Sequence, residues 1–336
     1  MSSSRPKLFF FLAIGLLFFR AKSQVISKSK AEHGTLNHLV HLSLYHFYFS
    51  VSGAGILPSE GAGTIVKLNW VLTAAHNVAN FNETVNGTTT LYRFREVKIL
   101  AGTKDVNDES ARAQRRTSKM YDGDGKSIII HEDHDPESRL YDVALIYVKE
   151  KFDLTDTVRP AKLLEKGVKF DPSAECVVQG WGLDTRTTSI DGRVAYTRSS
   201  KGEAMQGTVH LLNGWRCRQY VDERRRPCFD GKKQFCYGCN YGTCEQTAQG
   251  DSGTALVCAL AKGESPLRDG VVFAVHGYGC TDPRHKCTSD GPSVGIDVRE
   301  IKQWIDTETR EGILNKFAVV AGALTLAAAV VLRGYF

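Results

Sequence analysis

Three side chains have the types that acyl transfer requires, and each stands at the edge of a short apolar run. Ser252 lies in "QGDSG", between glycines. His76 ends "WVLTAAH", and Asp142 opens "DVALIYV". Nucleophilic catalysis needs a hydroxyl, a base to deprotonate it, and a carboxylate to orient the base. It also needs fixed donors for the developing oxyanion. Gly-Asp-Ser-Gly alone decides nothing, because Asp, Ser and Gly are ordinary turn residues. The order His, Asp, Ser along the chain is one of several in which such a constellation is built.

The elements that must position these residues read as strands. "HLVHLSLYHFYFSV" alternates in part, with Leu39, Leu42, Leu44, Phe47 and Phe49. "GAGTIVKLNWVLTAA", "REVKILAG", "SIIIHED", "DVALIYV", "AECVVQGWG", "GTALVCAL" and "GVVFAVHGYG" are short apolar stretches bounded by Gly, Asp, Pro or Asn. That punctuation predicts an all-β chain of barrels or sandwiches. Helical periodicity is confined to "DVREIKQWIDTET", where Val298, Ile301 and Ile305 form a stripe beside Trp304. The charged stretch 148–166 reads as a connector between two halves.

Taken together, "LTAAH", "DVAL" and "QGDSG", in that order, resemble the motifs of the trypsin-like (chymotrypsin-fold) serine proteases. The resemblance runs from about Val25 to Gly312 and includes "CVVQGWG" and the late helix carrying "QWI". It implies two antiparallel six-stranded β-barrels with the active site between them and a C-terminal helix. The first barrel is expected at about 25–150, the second at about 165–300, and the helix at about 298–309. By the same resemblance His76 is the base, Asp142 holds its tautomer, and Ser252 attacks the peptide carbonyl. Backbone N–H groups of Gly250 and Ser252 form the oxyanion hole, and Asp251 accepts the ammonium of a new N-terminus at Val25. Disulfides Cys176–Cys258 and Cys217–Cys236 are implied by position. Gln246 falls at the floor of the specificity pocket, with Gly277 and Ser293 on its walls. No carboxylate stands at the floor, so a preference for Arg or Lys is disfavoured.

Several positions depart from the family pattern. Gln24 precedes Val25 where Arg or Lys is usual, and Ser27-Lys28 replace paired glycines. Gly61 and Asn77 stand where cysteines usually bracket the histidine loop. Ala248 replaces a cysteine, Thr254 and Ala255 replace Gly-Pro, and Val275 and His276 replace Ser and Trp. Cys228, Cys239, Cys244, Cys280 and Cys287 are left over; Cys244–Cys280 is one pairing among several. The resemblance implies a serine endopeptidase acting on proteins or peptides, with protein inhibitors as further partners. The rival reading is a catalytically inactive homologue serving as a binding or regulatory module.

The ends and the composition bound the setting. Arg5 and Lys7 precede the apolar run 8–19, and Ala21 and Ser23 follow, so 1–23 reads as a signal peptide. A protease domain at 24–312 is followed by a hydrophobic tail at 313–336. The tail's apolar run, 317–332, reads as a membrane anchor, with a removed lipid-anchor signal or a buried helix as alternatives. Secretion and nine cysteines predict disulfides. The sequons Asn82-Glu-Thr84 and Asn86-Gly-Thr88 predict a glycosylated surface loop of an extracellular or cell-surface protein. Cys236-x-x-Cys239 with Cys244 has zinc-like spacing, but no histidine pair follows it, so no metal is expected, and no cofactor. "HEDHD", 131–135, is read as solvent-facing. A net charge of +6 spread over 336 residues gives no case for nucleic acid.

Overall fold

The computed structural model of the chain describes residues 24–25, 29–30, 36–122, 125–182, 185–188, 194–197, 202–220, 229–238, 247, 250–279 and 292–310. The segments read as leader and tail, the leftover cysteines, Gln246 and Ala248 lie outside them.

Two antiparallel barrel-like sheets dominate. The first runs in the order Ile128–Ile130, Ala144–Tyr147, Trp70–Thr73, Gly53–Lys67, Leu39–Ser50, Thr88–Ala101 and Phe81–Val85, with Gln114–Lys119 also on Thr88–Ala101. Val40, Leu42, Leu44, Ile65, Val71, Val97, Ile99 and Ile146 fill its interior. The second is a closed ring of six strands. Glu175–Gly180 pairs with Ala255–Cys258, and the order continues through Val271–Gly279, Ser293–Asp297, Gln234–Gly238 and Met205–Leu211. That last strand pairs back to Glu175–Gly180. Closure leaves these six strands no free edge.

The connector expected at 148–166 runs between the sheets. A further cluster spans both: Leu39, Leu72 and Leu145 from the first half pack with Val178, Leu256, Phe273 and Ile296 from the second. The late helix occupies 298–310, and Val298, Ile301 and Ile305 are buried on the stripe that the sequence predicts. The earliest described strands belong to neither end of the first sheet. Ser29–Lys30 pairs with Met205 and Gln206, and Gln24–Val25 pairs with Thr185 and Arg186, all in the second half.

Candidate active site

Strand register brings His76 and Asp142 together. Trp70–Thr73 and Ala144–Tyr147 are antiparallel neighbours, with Thr73 opposite Ala144. The residues just after Thr73 and just before Ala144 therefore emerge at the same end of the pair. The chain leaves Thr73 into the single-turn helix Ala75–Val78, which carries His76. There Asp142 Oδ2 meets His76 Nδ1 at 2.7 Å, and the His76 backbone N–H donates to Asp142 Oδ1 at 2.9 Å.

Asp142 is fully buried. Burial alone would raise its carboxyl. The positive charge of His76 and Arg139, with the N–H bonds from His76, outweighs that and holds it at about 2. At neutral pH Asp142 is thus a carboxylate, which can only accept. His76 Nδ1 must carry the proton, and the lone pair of the neutral imidazole lies on Nε2. The ring is in the tautomer a general base requires.

Ser252 belongs to the second barrel, just before Ala255–Cys258, and the turn crosses to meet the first. Its carbonyl accepts the Ala62 N–H at 2.9 Å and the Asn77 side-chain amide at 2.9 Å. Gly250 and Gly253 flank the turn with φ of +97° and +87°. At Gly253 a Cβ would stand 2.9 Å from Ala74 N and closer still to Ala62 O and Thr73 Oγ1, so only glycine fits that approach. Thr254, the departure after the serine, holds the frame. Its N–H donates to Asp251 O at 3.0 Å, its carbonyl accepts the His276 N–H at 2.8 Å, and its hydroxyl donates to Gln179 O.

Asp251 is buried, and Oδ1 accepts the Gly182 N–H at 2.9 Å. Gly182 leaves room for it, since a Cβ there would lie 2.6 Å from the carboxylate carbon. Val25, the expected source of an ammonium partner, sits opposite Thr185. Gly277 lies beside the Asp142 carboxylate, where a Cβ would stand 3.5 Å from Oδ2. Ser293 Oγ meets Thr247 Oγ1 at 2.7 Å, both buried. The two implied disulfides, Cys176–Cys258 and Cys217–Cys236, are formed; Cys176 and Cys258 are opposite one another across the barrel ladder. Asn82 and Asn86 are exposed, on the Phe81–Val85 hairpin.

The reading of "HEDHD" as solvent-facing needs correction. His131 is buried, stacked on Tyr141 at 4.5 Å with Trp304 4.9 Å away. The His134 ring is buried too, its Nδ1 4.0 Å from Asp142 Oδ1. Burial lowers the pKa of both imidazoles, and for His134 it outweighs the pull of Asp142. Arg139, another residue with no signal in the sequence, places Nη1 3.5 Å from Asp142 Oδ2. It and Tyr141 adopt φ of +58° and +48°, so the backbone is strained at the approach to Asp142. Behind the serine turn, His276 Nδ1 and the buried Tyr237 hydroxyl share a hydrogen bond of 2.7 Å. Burial and the nearby Asp251 charge raise the Tyr237 pKa well above its ordinary value, which keeps the phenol protonated.

Two antiparallel barrels with a His–Asp pair at the end of one and a glycine-flanked serine turn reaching it from the other define a chymotrypsin-type fold. Comparison with known proteins agrees. The family described as Trypsin matches residues 49–305. Ovochymase-2 of Mus musculus is 25% identical over 304 residues, 89% of this chain and 43% of that protein. The chain therefore spans less than half the length of that relative. A protein named Trypsin from Phaedon cochleariae is 25% identical over 250 residues, 74% of this chain and 78% of that protein. Among solved structures, one described as "Structure of GrC" superposes with a TM-score of 0.56 at 19% identity. It covers 84% of this chain and 99% of its own. The chain belongs to the trypsin family of serine proteases.

Proposed function

We propose that the chain is a serine endopeptidase that hydrolyses peptide bonds through an acyl-enzyme. Residues 24–312 form the protease unit, behind a signal peptide at 1–23. The observation that carries this reading is the His76–Asp142 pair, a 2.7 Å bond to a buried carboxylate that fixes the basic nitrogen on the far side of the ring. In this reading Ser252 Oγ attacks the scissile carbonyl as His76 Nε2 takes its proton. Asp142 stabilises the imidazolium, and the backbone N–H groups of Gly250 and Ser252 receive the oxyanion. His76 then protonates the leaving amine, and water, activated by the same imidazole, releases the acyl group. Losing one oxyanion donor typically costs about 3–4 kcal/mol of barrier.

The specificity that fits is for a large apolar or neutral polar side chain rather than Arg or Lys. The buried Thr247–Ser293 hydroxyl pair supports a neutral lining. The protein acts outside the cell, either free or held by the apolar run 317–332. Among the described residues no helix is long and apolar enough to cross a membrane. Detergent phase partition before and after removal of 313–336 separates the two forms.

The test of catalysis is labelling of the secreted, folded protein by a fluorophosphonate probe, with Ser252→Ala as control. Labelling that disappears in the variant is the expected result. A folded chain that takes no label overturns the proposal and leaves an inactive homologue with a binding role.

A further inference from the structure

The two positions at which the family pattern leads one to expect a disulfide, Gly61 and Asn77, are in contact through an amide. A Cβ on Gly61 would stand 2.7 Å from Asn77 Nδ2 and 3.1 Å from its Cγ, so glycine clears the space that the Asn77 side chain fills. Asn77 is buried. Its Nδ2 donates to Ser252 O at 2.9 Å and to Thr73 Oγ1 at 3.0 Å. The orientation of the amide is fixed by its partners. The Ser252 carbonyl can only accept, and the Thr73 hydroxyl proton is already given to Ala62 O at 2.7 Å. Ala62 in turn donates its N–H to Ser252 O. The result is a closed hydrogen-bonded circuit through Ala62, Thr73, Asn77 and Ser252, its first three members buried and Ser252 half-buried, where bonds are stronger than at the open surface.

A disulfide between 61 and 77 would join two segments of the first barrel only. The amide does that and also reaches across to the carbonyl of the serine itself. We propose that Asn77 is a positioning residue: it replaces the missing crosslink and, through the Ser252 carbonyl, sets the Ser252–Gly253 peptide and the aim of the nucleophile at His76. The proposal rests on the proteolytic reading above. The second contact to that carbonyl, from Ala62 N–H, lies in the strand beside it, so the carbonyl is held from two directions, and removing Asn77 leaves one.

The test compares the wild-type chain with Asn77→Ala and with the double variant Gly61→Cys, Asn77→Cys. Loss of free thiol verifies the crosslink in the double variant, and thermal unfolding compares stability. If Asn77 aims the serine, the crosslinked variant keeps wild-type thermal stability. Its rate of fluorophosphonate labelling nevertheless falls ~10-fold or more, and its kcat on a peptide substrate falls with little change in KM. Asn77→Ala shows the same loss of rate. If the crosslinked variant labels at the wild-type rate, Asn77 is only a fastener and the proposal is overturned. A second readout works even if the wild-type chain takes no label and the proteolytic reading itself fails. Deuterium uptake of the segment 250–255 is expected to rise in both variants, and unchanged protection there overturns the positioning role independently of any activity.

Discussion

Asp142 is the residue around which the site's electrostatics are built. Three cationic or potentially cationic groups face its carboxylate: His76 at 2.7 Å, Arg139 at 3.5 Å and His134 at 4.0 Å. Among the described residues His76 alone makes hydrogen bonds to it, one from the ring and one from the backbone. Asp142→Asn would keep the shape but replace one acceptor oxygen by a donor. The His76 ring would then be free to turn into the other tautomer, with its proton on the nitrogen that must act as base. The labelling rate of Ser252 is expected to fall about 10⁴-fold, the size of effect when an acyl-transfer triad loses its carboxylate. Labelling kinetics beside the far-UV spectrum check this; a rate within tenfold of wild type in a folded variant would mean that Asp142 does not orient the base. Arg139 and His134 were illegible in the sequence for a physical reason. Both sit in a polar run that looks solvated, and the run is drawn inward by contacts distant in sequence: His131 packs on Tyr141, in a segment of left-handed backbone, and on Trp304 of the last helix.

At the scale of elements, the short apolar runs and their punctuation located the strands that hold His76, Asp142 and Ser252, because each motif sits at a strand end. The sequons by themselves predict only an exposed loop. It is a hairpin, Phe81–Val85 against Thr88–Ala101, turning at Asn86 and Gly87 with φ of +49° and +77°. Asn-Gly is the pair that favours this turn, so the signal was present. This hairpin extends the first sheet beyond its core, and cross-strand register lines up Ala54, Phe49, Leu91 and Asn82 in one row. Phe47 and Ile56 lie beside Phe49 and Ala54 on the same face, and Phe47, Phe49, Ile56 and Leu91 are all exposed. A glycan on Asn82 would rise from this apolar face, whereas one on Asn86 would leave from the tip of the turn. For protein made in a glycosylating secretory host, Asn82→Gln is expected to increase binding of an apolar dye and self-association, and Asn86→Gln to do neither. Dye fluorescence and light scattering read this out, with glycosidase-induced mass shifts to establish which site is occupied. Equal behaviour of two variants that have each lost a glycan would remove Asn82 from that masking role.

The whole molecule carries several imidazoles inside it, and that fixes how it must respond to acid. His38, at the entrance to the first strand, is fully enclosed, and burial lowers its pKa to about 4 from 6.5. Its Nε2 has no hydrogen-bond partner among the described residues. His46, His131 and His134 are lowered by burial as well. As pH falls below about 6.5 the unfolded chain binds protons that the folded chain refuses, so stability drops through the window from 6.5 to about 4. His38 alone accounts for about 2 kcal/mol of that loss at pH 5, at about 1.4 kcal/mol per pKa unit. Asp142 acts later. Its folded pKa of about 2 against 3.8 means that its contribution is complete above 3.8 and is lost only as pH falls through about 2. The molecule should therefore begin to weaken well before its carboxylates titrate. Denaturant unfolding at pH 7 and pH 5 measures the slope, and His38→Phe is expected to reduce it while leaving Ser252 labelling at pH 7 intact. A wild-type chain equally stable at both pH values would show that the enclosed histidines take up protons as readily as they do in the unfolded chain. That outcome would require water to reach His38 and the first barrel to be more open at its strand entrance than its packing allows.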